Sequence, residues 1–392
     1  MLKKWNTAIV KVNPYLLFSP FLVIYIVFIL VKSQNFLIGD EFRYVAFAQN
    51  LLHGFYSPSD EVDLACGPGY PLLLTPFYAL HIPTIVIKLF NAGFQYLSII
   101  FVFKSLRIVV SPRKAIFFSF YWACYYISFV TMPFILTETL TMFLVALLIF
   151  LLLRALNPAE TRGRKYTVLA GLCMGYIALT KVIFGYVIVC LLLCSLFLWL
   201  LDRKNWNYRR GLVILAISFA TTVPYLAYTY SVSGRMFYWS TLGGNNMYWM
   251  SSPYKNEYGN WFPDIDARFD SMSVNDRIVE KRDFQNHLAE SFYMPGGVDS
   301  IKAHHRADFA EVDKLKGVDK DDAYRDITMR NIRKAPWKYL QNCFSNIGRM
   351  LFDYPVSYLP QTPGLLFRLP ANGILLVLVL FSIIPTLWNW RK

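Results

Sequence analysis

Residues 14–31 read Pro14-Tyr-Leu-Leu-Phe-Ser-Pro-Phe-Leu-Val-Ile-Tyr-Ile-Val-Phe-Ile-Leu-Val31, and the first acids in the chain, Asp40 and Glu41, follow shortly after. An uncharged run of this length is enough helix to cross a bilayer, for which about 17–25 residues suffice. The acidic pair therefore falls at a membrane surface, at the mouth of whatever the later apolar segments enclose. Carboxylates beside a bilayer are costly, and function is the usual reason they are kept.

The rest of the chain agrees with that start. It has 392 residues, 56% of them hydrophobic and 17% aromatic, with a mean hydropathy of +0.37. Such a composition excludes an ordinary soluble enzyme and points to an all-α polytopic membrane protein. Candidate spans are 14–31, 84–103, 115–130, 133–153, 166–180, 182–201, 211–230 and 369–388, with only Thr180 and Lys181 parting the fifth from the sixth. Threading these spans puts 17 basic residues and only two acids, Glu160 and Asp202, on one side. Both termini fall on that side, which the positive-inside pattern makes cytoplasmic. The formal charge of +14 is thus matched to membrane lipid headgroups and not to nucleic acid. Lys32-Ser33-Gln34-Asn35 offers no small-x-small cleavage site, so the first run is expected to stay as a span.

Three regions follow: a transmembrane core over 1–230 with a first outer loop at 32–83, a large outer loop domain over 231–365, and a final span with its tail over 366–392. Residues 42–53 make a short, mostly apolar helix that suits the interface, with Gly54 as its stop. Residues 72–80 are a second interfacial or re-entrant piece after Gly67-Pro-Gly69, whose glycines permit tight turns. Residues 231–365 hold 17 basic and 17 acidic residues, with helices expected over 273–292 and 320–352. Cys124, Cys173, Cys190 and Cys194 fall in spans as small apolar side chains. Cys66 and Cys343 face outward, and no spacing rule pairs them.

Topology brings three charged elements to the outer ends of the spans: Asp40 and Glu41 with Arg43, Glu138 in the fourth span, and Lys181 at a turn. A carboxylate there can deprotonate an acceptor hydroxyl or amine, and a cation can hold a phosphate. Each has a plainer explanation. Asp40 can be a helix cap, Lys181 a snorkelling lysine, and the whole set a structural ion pair. Neighbouring residues on a helix do not face the same way, so only one of Asp40 and Glu41 should point into a site. Asn245, Asn246 and Tyr248 lie among Phe237, Tyr238, Trp239 and Trp249, a surface suited to carbohydrate and equally to an interfacial aromatic belt. His304 and His305 lack ligands at metal spacing and are expected to be solvated. No metal is assigned, and a divalent cation is left open.

Gly39-Asp-Glu-Phe-Arg-Tyr44, then Ala48-Gln-Asn-Leu-Leu-His-Gly54 and Gly67-Pro-Gly-Tyr-Pro-Leu-Leu-Leu74, resembles the first outer loop of the membrane-embedded GT-C glycosyltransferases. The likeness is closest to the protein mannosyltransferase and lipid A aminoarabinose transferase group, glycosyltransferase family 39. Thr137-Glu-Thr139, Leu179-Thr-Lys181, Gly243-Gly-Asn-Asn-Met-Tyr248 and residues 322–341 add weaker matches. The resemblance implies a GT-C-like core in a bacterial plasma (inner) membrane, with its site facing outward. It implies transfer of a sugar, with inversion, from a polyprenyl-phosphate or dolichyl-phosphate donor to a glycan, lipid or protein acceptor. Asp40 would be the acceptor-activating base, with Glu41 in reserve and Glu138 as a second acid. Lys181 and Arg43 would meet the donor phosphate, and Tyr44, Tyr70, Asn245, Asn246 and Tyr248 the substrates. A transporter or flippase of lipid-linked sugars, or a noncatalytic scaffold subunit, are the competing classes. The first predicts paired broken helices in repeated halves, which the sequence does not display.

Overall fold

The computed structural model describes residues 13–34, 36–58, 61–255, 257–259, 297–352, 369–370, 372–377 and 379–381. Every regular element among them is helical. Five helices are long and apolar enough to cross a membrane, and the chain is an integral, multi-pass membrane protein. It divides into two units, Met1–Ser240 and Thr241–Lys392.

In the first unit α1 (Pro14–Lys32) leads to two short helices, α2 (Asp40–Leu52) and α3 (Gly69–Ala79), then to α4 (Thr84–Val109). α5 (Pro112–Ala123) and α6 (Tyr126–Thr131) come next. α7 (Thr137–Ala155), α8 (Gly163–Thr180), α9 (Ile183–Leu201) and α10 (Trp206–Ser233) complete the unit. α4 packs against α1, α5 and α7; α8 packs against α7, α10 and α3. Because successive long helices reverse direction, the 33–83 loop, the start of α7 and the α8–α9 turn gather at one end. α8 approaches α10 closely through Gly171 and Gly175, where a methyl group would lie 2.6 Å from Ile217 Cβ and from Thr221 Cβ respectively. Small residues four apart allow that contact between helices in lipid.

Several boundaries differ from the sequence reading. The region 166–201 is two helices, as the spans at 166–180 and 182–201 require. The expected span 115–130 is broken at Cys124–Tyr125, where the Tyr25 hydroxyl donates to the Ala123 carbonyl at 2.7 Å. The expected span 133–153 starts only at Thr137. Residues 132–136 are non-helical, and side chains from elsewhere satisfy their backbone: Asn91 Nδ2 donates to the carbonyls of Met132 (3.0 Å) and Phe134 (2.8 Å). Gly54 does stop α2, at φ 85°.

The second unit contains α11 (Gly243–Met250), α12 (Gly297–Val312), α13 (Gly317–Lys334) and α14 (Pro336–Phe352). The expected helix 320–352 is thus two, parted at Ala335, because Pro336 has no N–H and bars the helical conformation before it. α14 is inverted. Its polar side chains Lys338, Asn342, Asn346 and Arg349 donate to carbonyl oxygens between Met250 and Tyr258. Its apolar residues Trp337, Leu340, Phe344, Ile347 and Met350 face outward, Trp337 being 81% exposed. The expected helix 273–292 and the end of the expected last span 369–388, from 382 on, lie outside the described residues. All six cysteines, Cys66 and Cys343 included, are free thiols.

Candidate active site

The start of α2 separates the two adjacent acids. Gly39, at φ 57°, is the residue that precedes the helix, so Asp40 is its first turn and not its cap. Asp40 points out, with a side chain 62% exposed and Arg43 Nη1 at 3.2 Å. Glu41 points in and is fully buried. Its Oε2 accepts the Ile38 N–H at 2.8 Å and its Oε1 the Ile135 N–H at 2.7 Å, with Lys88 Nζ at 3.6 Å. Both oxygens of the Glu41 carboxylate are held by protein groups.

Glu138 stands in the first turn of α7, where a negative charge complements the helix dipole. Its Oε1 accepts from Lys181 Nζ at 2.8 Å, and both side chains are about one-third exposed, at 39% and 33%. The two read in the sequence as separate charged elements are therefore one ion pair. Lys181 is held there by a crowded joint. At Gly67 a Cβ would sit 2.1 Å from the Leu179 carbonyl oxygen, and at Gly69 it would sit 2.6 Å from Thr180 Oγ1. These glycines serve close backbone approach around the turn at Pro68, and neither has a positive φ. Tyr176 closes the joint by donating its hydroxyl to the Gly69 carbonyl at 2.7 Å.

Tyr44 and Tyr70 meet edge to face with centroids 5.3 Å apart, both almost wholly buried. Burial pushes the Tyr44 phenol up; a hydrogen bond with Thr137 opposes this, and the charges of Glu138 and Asp40 add to it. Both acids thus act on one phenol. Behind them the Cys66 thiol is pushed up to about 12 by burial, so it is a packing group and no thiolate nucleophile.

In the second unit the residues predicted to line a cavity divide. Asn246 is exposed and Asn245 half-buried, while Tyr248 is fully buried with its hydroxyl donating to Asp308 Oδ2 at 2.9 Å and bonded to His305 Nδ1. His305 is buried and not solvated as expected, while His304 stays exposed. His304 Nδ1 lies 2.8 Å from Glu257 Oε1, and the buried His305 places Nε2 2.7 Å from Glu257 Oε2. Their partner stands 47 residues away, so no local pattern announces it. Among the described residues no group of three or more His, Cys, Asp or Glu side chains is placed to hold a metal ion.

No protein-family model matches this sequence, and no curated protein does. Among solved structures the chain is similar to ArnT from Cupriavidus metallidurans, crystallised with undecaprenyl phosphate bound. Identity is 14%, the likeness covers 96% of this chain and 72% of that one, and the TM-score is 0.44. At that distance no residue role passes from one protein to the other, and the site rests on its own geometry.

Sequence reasoning missed Lys88 and Asn91. Both lie inside an apolar run that reads as span, and only the burial of Lys88 beside Glu41 shows what they do.

Proposed function

We propose that the chain is a GT-C-type glycosyltransferase that moves a sugar from a polyprenyl-phosphate or dolichyl-phosphate donor to an acceptor at the outer face of the membrane. The observation that carries this reading is the division of labour at the loop. Asp40 is the exposed acid, and the part-exposed Glu138–Lys181 pair shares with it an influence on the one Tyr44 phenol. The motif resemblance of residues 39–74 adds the chemical class.

In the proposed reaction Asp40 takes the proton of the acceptor O–H or N–H. The freed electron pair forms the bond to the sugar's anomeric carbon from the face opposite the phosphate, so the configuration inverts. The carbon–oxygen bond to the phosphate breaks, and its electron pair leaves on the lipid phosphate. Lys181 neutralises that charge, and Glu138 holds the ammonium in place until the phosphate arrives. A lipid phosphate is already a good leaving group, so the step lacks a base more than an acid. Such proton transfer is worth about 10²–10⁴-fold.

Asp40→Asn tests this. It keeps size and polarity but takes no proton, so turnover should fall at least about 100-fold with polyprenyl-phosphate binding retained. The substrates are found by mass spectrometry of cellular glycans and lipid-linked sugars with and without the gene. Near-normal turnover in Asp40→Asn would remove the base from the mechanism.

A further inference from the structure

Glu41, Lys88 and Asn91 are used by no step of the proposed reaction, yet they form an enclosed polar cluster in the first unit. Glu41 and Lys88 side chains are each 1% exposed, and Asn91 is buried. Lys88 and Asn91 are three residues apart on α4 and so share one face. From that face Asn91 holds the Met132 and Phe134 carbonyls, and Lys88 Nζ donates to the Gln34 carbonyl at 3.1 Å. Ser33 adds a long contact to the Pro133 carbonyl at 3.4 Å. Two stretches of non-helical backbone, around 33–34 with 36–39 and over 132–136, thereby have backbone groups satisfied by side chains where water is scarce. Glu41 links the two stretches directly, because one of its oxygens takes the Ile38 N–H and the other the Ile135 N–H.

We infer that Glu41 is a positioning residue, anchored by Lys88 and Asn91, that sets the distance between Asp40 and the Glu138–Lys181 pair. Asp40 is its neighbour in sequence, and Glu138 is three residues past Ile135. One carboxylate therefore ties the helix start bearing the exposed acid to the helix start bearing the ion pair. Gln in place of Glu41 keeps one acceptor oxygen but turns an NH₂ toward a backbone N–H, so only one of the two starts stays held. The anchor stands on geometry alone; its effect on turnover rests on the transfer reading above.

The test uses the full chain purified in detergent, with hydrogen exchange and transfer measured on the same samples. Glu41→Gln should speed exchange at 36–42 and 133–138 by at least about tenfold, as expected for losing a buried hydrogen bond to a charged group. Asp40→Asn should leave exchange there unchanged. With polyprenyl phosphate as the probe in native mass spectrometry, binding to Glu41→Gln should be retained. Sugar transfer should fall about 10²-fold, the cost of misplacing a reacting group by about 1 Å. Glu41→Asp keeps the charge but loses reach, so it should restore exchange and transfer only in part. A purely structural role would instead lower binding and turnover together.

Unchanged exchange in Glu41→Gln overturns the anchor. Faster exchange with normal transfer overturns the positioning role. Normal transfer in Asp40→Asn would defeat the base assignment, and the exchange data would still judge the anchor. If Glu41→Gln cannot be extracted folded, Lys88→Gln serves, because it leaves both bonds from Glu41 to backbone in place. It should loosen 33–38 and spare 133–138, and loosening of neither overturns the proposal.

Discussion

Lys181 Nζ and Glu138 Oε1 are 2.8 Å apart, and each side chain keeps about a third of its surface open. The ammonium is restrained yet still part open, and in the proposed reaction it receives the donor phosphate. Lys181→Ala should therefore raise the apparent KM for a polyprenyl-phosphate sugar by about 10–100-fold, the range of a charge-assisted hydrogen bond. Lys181→Arg should recover part, since a planar guanidinium fits the same space differently. Glu138→Gln should cost less than Asp40→Asn, because it loosens the lysine without removing it. Steady-state kinetics in detergent with varied donor would show all three, and unaltered KM in Lys181→Ala would refute the assignment.

The Gly67 and Gly69 joint makes a prediction about stability that is independent of chemistry. Gly67→Ala would drive a methyl group into the Leu179 carbonyl, and Gly69→Ala would drive one into Thr180. Overpacking of this kind costs about 1–3 kcal/mol or more, read as a lower melting temperature in detergent. Gly93 is the control. It lies in α4 with open space where its Cβ would go, so Gly93→Ala should stabilise by up to about 1 kcal/mol through helix propensity.

Acid should loosen the second unit through Glu257. Burial pushes this carboxyl up, but hydrogen bonds from His305, Ser252 and His304 outweigh burial and hold it below its ordinary value. A lowered carboxyl stabilises the folded state fully above the unfolded value, and the contribution is lost as pH falls through the lowered one. Hydrogen-exchange protection at 241–255 and 303–312, measured against the intrinsic rate at each pH, should thus fall as pH drops below about 4.5, where carboxylates of the unfolded chain protonate. Glu257→Gln should show the looser pattern already at neutral pH and little further change on acidification.

Orientation can be checked at the two ends of one helix. α10 runs between Lys204 and Met236, both of which are exposed. In intact cells a membrane-impermeant maleimide should label Met236→Cys and miss Lys204→Cys. The reverse pattern would place Asp40 and Lys181 on the cytoplasmic side and exclude an outward-facing reaction.

Five of the eight expected spans were legible because an apolar run has one physical use at this length, and the break at Thr180–Lys181 was visible as a polar pair. The ends were less so. Sequence placed the fourth span four residues early, since Pro133-Phe-Ile-Leu136 is as apolar as helix, and distant side chains, Asn91 and Glu41 foremost, make non-helical backbone tolerable there. Of the site, the sequence named Asp40, Glu138 and Lys181 and required that just one acid of the pair face the mouth. It did not say which, because neighbours on a helix differ by an angle that has no reference until another element packs against it. Gly67 and Gly69 were visible as glycines but not as the contact surface of α8. Glu257 drew no notice because its histidines lie far along the chain.

α14 gives its hydrogen-bonding side to the protein and its oily side to the surroundings. Ordinary rules for trimming a membrane protein to a soluble fragment fail for such a segment. Expressed apart from its membrane half, the 241–352 region would present Trp337, Phe344 and Met350 to water, and copies would cover that stripe with one another. Concentration-dependent association in buffer, reversed by mild detergent, is what sedimentation should record.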